Sequence, residues 1–265
     1  MQPGQEAQQN KASGTSGNTA SGTDGKVRLN KFLAERLGVS RRQADDLIAA
    51  GKVLVRVAGS TEKKPAFLGA RIDKTDEVWY NSSMVPFDTE YFYVALNKPA
   101  GYVCSRKRQG DSPTIYEILP AKYASLKTVG RLDRDSSGLI LLTNDGDFAF
   151  SMTHPKFYKE KVYEVELDRD LEPLHQQMIA DFGVDLPDGK SQLGLSRIDD
   201  GSSNNGGHDD DRRRWRVTMS EGRNRQIRRT FAAVGYTVVG LHRIQFGKYQ
   251  LSGLKPGDFT EVKKV

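Results

Sequence analysis

The sequence predicts an α+β protein in two parts: a small N-terminal module of two short helices and strands, then a larger block of strands with flanking helices. Three observations carry that reading. Leu29, Phe32, Leu33 and Leu37 fall at helical spacing near the start. The stretches "KVYEVEL" (161–167) and "WRVTMS" (215–220) alternate with period two, as half-buried strands do. "YFYVAL" (91–96) and the run Leu139 to Leu142 are continuously apolar, as in strands covered on both faces.

Residues 1–26 hold no aromatic and no branched aliphatic side chain, so they have too little apolar surface to offset the entropy of ordering. They are expected to form a disordered tail. The helix that starts near Val27 should end at Gly38, and a second should start at Ser40, whose pairing with Gln43 fits a capping box, and stop at Gly51. "KVLVRV" (52–57) and "DEVWY" (76–80) read as strands, and the segment 81–90 as a linker. The first module is thus placed at 27–85 and the second domain at 91–265. "NKPAG" and "NDG" are turns, with Asp147 expected to cap a short helix through Met152. A further short helix is expected around 172–181. Residues 199–211, polar and glycine-rich, read as a loop without an apolar anchor, and their role is not given by composition. "NRQIRRTFAAVG" reads as a helix with Asn224 as cap and Gly235 as stop, followed by a strand in "TVVGLHRIQFG".

Composition narrows the function classes. Forty Lys and Arg against 34 Asp and Glu give a net charge of +6, which favours a polyanionic partner. A single cysteine, Cys104, allows neither an internal disulfide nor a cysteine zinc cluster and fits a reducing, cytoplasmic setting. The four histidines are scattered, with no pair at metal-ligand spacing, so no metal is expected. No apolar run approaches a membrane span, so no membrane partner is expected.

Chemistry concentrates in three places. In "GRLDRDSSGLILLTNDGD" (130–147) two carboxylates, Asp133 and Asp135, stand between Arg131 and Arg134 at the mouth of a buried strand. That is either a turn held by local ion pairs or a site keeping one carboxylate ionised beside a cation. In "SRRQ", Arg41 and Arg42 sit at a helix start, where the helix dipole disfavours cations; with Arg28, Lys31 and Lys52 they make a surface suited to phosphate. In "EGRNRQIRRTF" the buried stripe of Ile227, Phe231 and Val234 leaves Arg225, Arg228 and Arg229 pointing elsewhere. One guanidinium there could reach a carboxylate.

"NKPAG" (97–101), "GRLDRDSSGLILLTNDG" (130–146), "KVYEV" (161–165) and "EGRNRQIRR" (221–229), in this order, resemble the RsuA/RluB type of ribosomal RNA pseudouridine synthase. "SRRQADDLIAAGKV" resembles the small S4 RNA-binding domain that commonly precedes that catalytic domain, although the usual short "V-N-G" hairpin is replaced by "VRVAGSTEKKPAFLG". The resemblance implies a catalytic domain on a mixed, mainly antiparallel sheet with flanking helices. It implies that Asp133 initiates isomerisation of a uridine, that Tyr163 packs on the uracil, and that Arg228 pairs with Asp133. Arg131, Leu132 and Leu241 would line the base pocket. Arg28, Lys31, Arg41, Arg42, Lys52, Arg223, Arg225 and Arg229 would bind RNA. Asp135 and Arg134 would be structural. No cofactor is implied, a monomer is expected, and the partner would be ribosomal RNA or a precursor of a ribosomal subunit. "EGRNRQIRR" leans to the large subunit, with a small-subunit enzyme or a non-catalytic assembly factor as alternatives. A two-metal nuclease or glycosidase using Asp133 and Asp135 is the remaining reading, resting on a strand that would point both carboxylates the same way.

Overall fold

The computed structural model describes residues 25–198 and 212–265; the expected loop 199–211 and all but the end of the expected tail lie outside them. The chain divides into two compact units, one made of residues up to Phe32 with Arg41–Val85, the other of Leu33–Ser40 with Pro86–Val265. No helix among the described residues is long and apolar enough to cross a membrane.

The helical pattern becomes α1 (Leu29–Arg36), which begins in the first unit and continues into Leu33–Ser40 of the second, and the second start signal becomes α2 (Arg41–Ala49) of the first unit. Helix α2 buries Ala44 and Ile48 and ends where Gly51 takes a left-handed φ of +69°, which lets Lys52 N–H reach back to the Leu47 carbonyl at 3.2 Å. Strands β1 (Val53–Arg56), β2 (Glu77–Tyr80) and β3 (Ser83–Val85) pair antiparallel, with Lys64–Pro65 on the outer edge of β1. Asn81 and Ser82 both have positive φ and form the two-residue turn between β2 and β3. The expected linker therefore loses its first half to a hairpin. The unusual stretch after β1 is pinned by Asp76, whose carboxylate accepts from Ala58 N–H at 3.1 Å and Asp73 N–H at 3.0 Å.

The second unit is built on a nine-stranded sheet. Its strands are β4 (Tyr93–Lys98), β5 (Ser137–Thr143), β6 (Lys161–Leu167), β7 (Gly194–Arg197), β8 (Arg214–Met219), β9 (Val238–Phe246) and β10 (Phe259–Glu261), ordered β7-β8-β6-β9-β5-β4-β10. Lys127–Val129 joins on β5 and Tyr249–Gln250 on β9. Every pairing among these described strands is antiparallel except that of β9 with β5, so the sheet is mixed and mainly antiparallel as expected. The apolar run in β5 serves two cores: Ile140 and Leu142 pack with Val165, Val217 and Phe231 on one face, Leu139 and Leu141 with Phe148, Met152 and Phe246 on the other.

Helix α3 (Gly146–Thr153) is capped by Asp145, which accepts from Asp147 N–H and Phe148 N–H, so the cap lies two residues before the expected Asp147. The expected helix at 172–181 is a short α-helical turn, Pro173–Gln177, widening into a π-helical stretch, Met178–Phe182. Helix α4 (Gln226–Ala233) has Arg225, not Asn224, as its N-cap residue.

Candidate active site

The site starts from the one parallel pairing of that sheet. His242 faces Ser137 and Arg243 faces Gly138 across β9 and β5. Gly138 has φ +102°, and a Cβ there would lie 2.3 Å from the Arg243 carbonyl oxygen, so only glycine permits the approach. The turn carrying Asp133 enters β5 immediately before this point.

That turn is held by its backbone. Ser136 N–H donates to the Asp133 carbonyl at 3.1 Å and Gly101 N–H to the Arg134 carbonyl at 2.7 Å. Lys98, from "NKPAG", is fully buried and donates its ammonium protons to the carbonyls of Pro99, Arg134 and Ser136 at 2.9, 3.3 and 2.5 Å. Burial pushes Lys98 down to about 8, opposed by the nearby Cys104, Asp133 and Asp135. Two sequence stretches that looked separate are thus one fixed loop.

The turn separates the two carboxylates. Asp135 turns outward to Arg134, with Nε–Oδ1 at 3.1 Å and both side chains more than half exposed. Asp133 lines a cleft of about 730 Å³, and Arg225 Nη1 lies 3.5 Å from its Oδ2. Neither residue lies on the strand, which begins at Ser137. The two-carboxylate reading therefore loses its geometric basis, and among the described residues no group of three His, Cys, Asp or Glu is placed to hold a metal.

Around Asp133 the cleft is walled by Leu132 and Tyr163, both buried, and by half-buried Leu241, with exposed Arg131 at the edge. The register of β6 on β9 sets Tyr163 opposite Arg243 and Val165 opposite Leu241, which brings the tyrosine and the leucine to one face. Arg223 also lines the cleft, and donates to Asp188, Gly189 and Lys190 carbonyls, so it ties the hairpin Val184–Ser191 to the cleft wall.

Two expectations about arginines change. Arg225, placed among the RNA contacts, is the residue that meets Asp133, whereas Arg228 donates to the carbonyls of Val238 at 2.6 Å and Asp135 at 3.2 Å. The cause is the start of α4: Arg225 takes a left-handed backbone, φ 47° and ψ 32°, just before the helix. Arg228, one turn further on, is partly buried, and burial followed by the Arg225 charge pushes it down from its ordinary value. Arg229 does not face RNA freely; both its terminal nitrogens pair with Asp188, at 3.0 and 2.7 Å.

In the first unit Arg28, Arg42 and Lys52 are exposed, Lys31 is half-buried, and Arg41 donates to Asn30 Oδ1 at 3.2 Å. Asn30 in turn donates to both oxygens of Asp45, at 2.9 and 3.0 Å.

Arg243 and Lys161 also line the cleft and were not among the expected set. Arg243 is 2% exposed, donates Nε–H to the Leu139 carbonyl at 2.7 Å, and lies over the rings of Phe246 and Tyr163 at 4.9 and 6.0 Å. Lys161 donates to the carbonyls of Lys159, Ser220 and Glu221, and burial together with the Arg243 charge pushes it down to about 8. The signal for Arg243 was a cation inside the otherwise strand-like "LHRIQF"; the strand pattern alone did not reveal which face it takes.

A profile described as RNA pseudouridylate synthase matches residues 92–233, spanning the Asp133 turn, Tyr163 and α4, and the S4 domain profile matches residues 27–67. The chain belongs to the RNA pseudouridylate synthase family. Its members are isomerases, and the S4 domain adds an RNA-binding module to this one. The ribosomal small subunit pseudouridine synthase A of Pasteurella multocida is 38% identical over 242 residues, covering 89% of this chain and 96% of its own. The ribosomal large subunit pseudouridine synthase B of Bacillus subtilis is 32% identical over 235 residues, covering 89% and 91%. Among solved structures, a pseudouridylate synthase crystal structure shares 34% identity with a TM-score of 0.60, over 89% of this chain and 96% of that one.

Proposed function

We propose that this pseudouridine synthase acts on ribosomal RNA, with Asp133 initiating the reaction. The N1–C1′ bond of the target uridine breaks, the uracil turns in the cleft, and C1′ is rejoined to C5. The proton lost from C5 is matched by one gained at N1, so atoms balance without a co-reactant. The observation that carries this reading is the placing of Asp133: one carboxylate on a backbone-fixed turn, beside Arg225, facing the apolar walls of Leu132, Tyr163 and Leu241. Tyr163 packs on the uracil, Arg131 and Leu241 complete its pocket, and Arg225 takes the pairing role expected of Arg228. A base inside a stem must be flipped out to reach this cleft, at a cost of a few kcal/mol that is least in loops and bulges. The exposed cations of the S4 domain, Arg28, Arg42 and Lys52, supply phosphate contacts.

We infer a small-subunit substrate, where the sequence pattern alone leaned to the large subunit. In support, a relative named for the small subunit is 38% identical and one named for the large subunit 32%. The setting is the cytoplasm, in keeping with the lone Cys104. Carbodiimide primer extension across both ribosomal RNAs, from cells with and without this gene, tests the assignment. One pseudouridine should vanish from small-subunit RNA and return with the wild-type gene but not with Asp133→Asn. A site lost from large-subunit RNA would move the substrate there, and no lost site would favour a non-catalytic binding factor.

A further inference from the structure

The rim of the cleft carries one aromatic side chain, Tyr158, that folding does not explain. After α3 the chain makes a 3-10 turn, Pro155–Phe157, whose following residue, Tyr158, is held in the left-handed region at φ 46° and ψ 46° with its N–H on the Pro155 carbonyl. That region favours glycine or asparagine, and a bulky side chain there is an outlier. Tyr158 is also 77% exposed, and among the described residues no hydrogen bond or ring contact holds its side chain. Yet it lines the cleft that contains Asp133, together with Lys156 and Lys159.

Its neighbours continue the same surface. Phe150 and Phe157, 46% and 40% exposed, meet edge to face at 5.8 Å between centroids, and the Lys156 ammonium sits 5.2 and 4.8 Å from the two rings. These rings pack on each other and on His154, so the turn itself is stabilised by them. Tyr158 gains nothing from that cluster. An exposed, unpartnered ring in a disfavoured backbone state, beside two lysines and continuous with a cleft for a flipped base, has the chemistry of a stacking platform for nucleobases.

We propose that Tyr158 stacks on an unpaired base of the RNA immediately next to the target uridine, while Lys156 and Lys159 hold the adjoining phosphates. The inference rests on the reading that the cleft takes a uridine of ribosomal RNA. Flipping leaves the neighbouring bases without a stacking partner, and a ring at the rim replaces the missing stack. Tyr158 then contributes to substrate recognition rather than to bond making.

The test uses the full chain and a short stem-loop transcript around the mapped uridine, labelled with tritium at C5 so that turnover releases the label. Parallel substrates carry an abasic nucleotide on the 5′ or the 3′ side of the target. Tyr158→Gly should keep or raise the melting temperature, because glycine accepts the left-handed backbone, while KM rises about tenfold, the order of one base–aromatic stack. Tyr158→Phe should retain the wild-type KM. With the abasic substrate that removes the stacked base, wild type and Tyr158→Gly should have the same KM. An unchanged KM in Tyr158→Gly, or an equal further loss on both abasic substrates, would overturn the proposal while leaving the functional reading in place. Absence of label release by the wild-type chain from any ribosomal RNA transcript would overturn both.

Discussion

Asp133 is paired with Arg225, at 3.5 Å, and not with Arg228, whose guanidinium bridges the carbonyls of Asp135 and Val238. The two arginines therefore act at different levels: one on the carboxylate, the other on the backbone that carries it.

Substituting each in turn should separate these levels. Arg225→Gln should lower kcat about tenfold with little change in melting temperature, since a half-exposed ion pair adds only ~0–1 kcal/mol to stability. Arg228→Gln should lower the melting temperature measurably, because the carbonyls it serves lose charge-assisted bonds contributing ~1.5–3 kcal/mol each. Loss of turnover in Arg228→Gln at unchanged stability, with Arg225→Gln fully active, would reverse the assignment.

Lys161 gives a pH-dependent stability with a defined sign. Its folded value of about 8 lies below the ordinary lysine value, so between about pH 8 and pH 10 the unfolded chain holds a proton that the folded chain has released. The folded state gains from this group as pH rises through that window and bears a constant cost below it. Melting temperatures of wild type and Lys161→Met, measured from about pH 7 to about pH 10, should therefore converge or cross in favour of wild type above pH 8. Lys98, shifted likewise, is present in both proteins and cancels in the difference. A pH-independent difference would mean that Lys161 is not desolvated.

Patterns within one element were readable before the fold was known: α1 and α2 from their apolar spacing, β5 from its unbroken run, β6 and β8 from their alternation. The pairing of arginines with carboxylates was not. Helical spacing indicates which face Arg225, Arg228 and Arg229 leave, but the left-handed backbone at Arg225 and the position of Asp188 on a distant hairpin decide where each guanidinium goes. Arg243 was hidden for the same reason: β9 pairs with β5 in parallel, and nothing local to "LHRIQF" specifies its partner. The two-carboxylate reading needed Asp133 and Asp135 on a strand that points both the same way; the turn closed by Ser136 N–H on the Asp133 carbonyl precedes the strand and sends them apart.

Arg229→Ala should leave RNA affinity and its salt dependence unchanged, because the guanidinium is already engaged by Asp188. The paired change Arg42→Ala with Lys52→Ala in the S4 domain should weaken binding and flatten the slope of log K against log salt by roughly one to two, about 0.7–0.9 for each phosphate that no cation then neutralises. Titrations over a salt series check both. A flattened slope in Arg229→Ala alone would place RNA on the hairpin side of the cleft.

Asp135→Asn should retain most activity, since its carboxylate faces Arg134 in solvent. Initial rates on a saturating transcript measure this. A loss matching that of Asp133→Asn would restore a shared role for the two carboxylates.

The most direct measurement is label release from C5-tritiated ribosomal RNA by Asp133→Asn, with RNA affinity measured on the same preparation. The substitution keeps the size and shape of the side chain and removes its charge. Release should vanish while affinity stays within about twofold of wild type, because the phosphate contacts are made elsewhere. Release at a rate near that of wild type would contradict the assignment of Asp133 as the group that initiates the isomerisation.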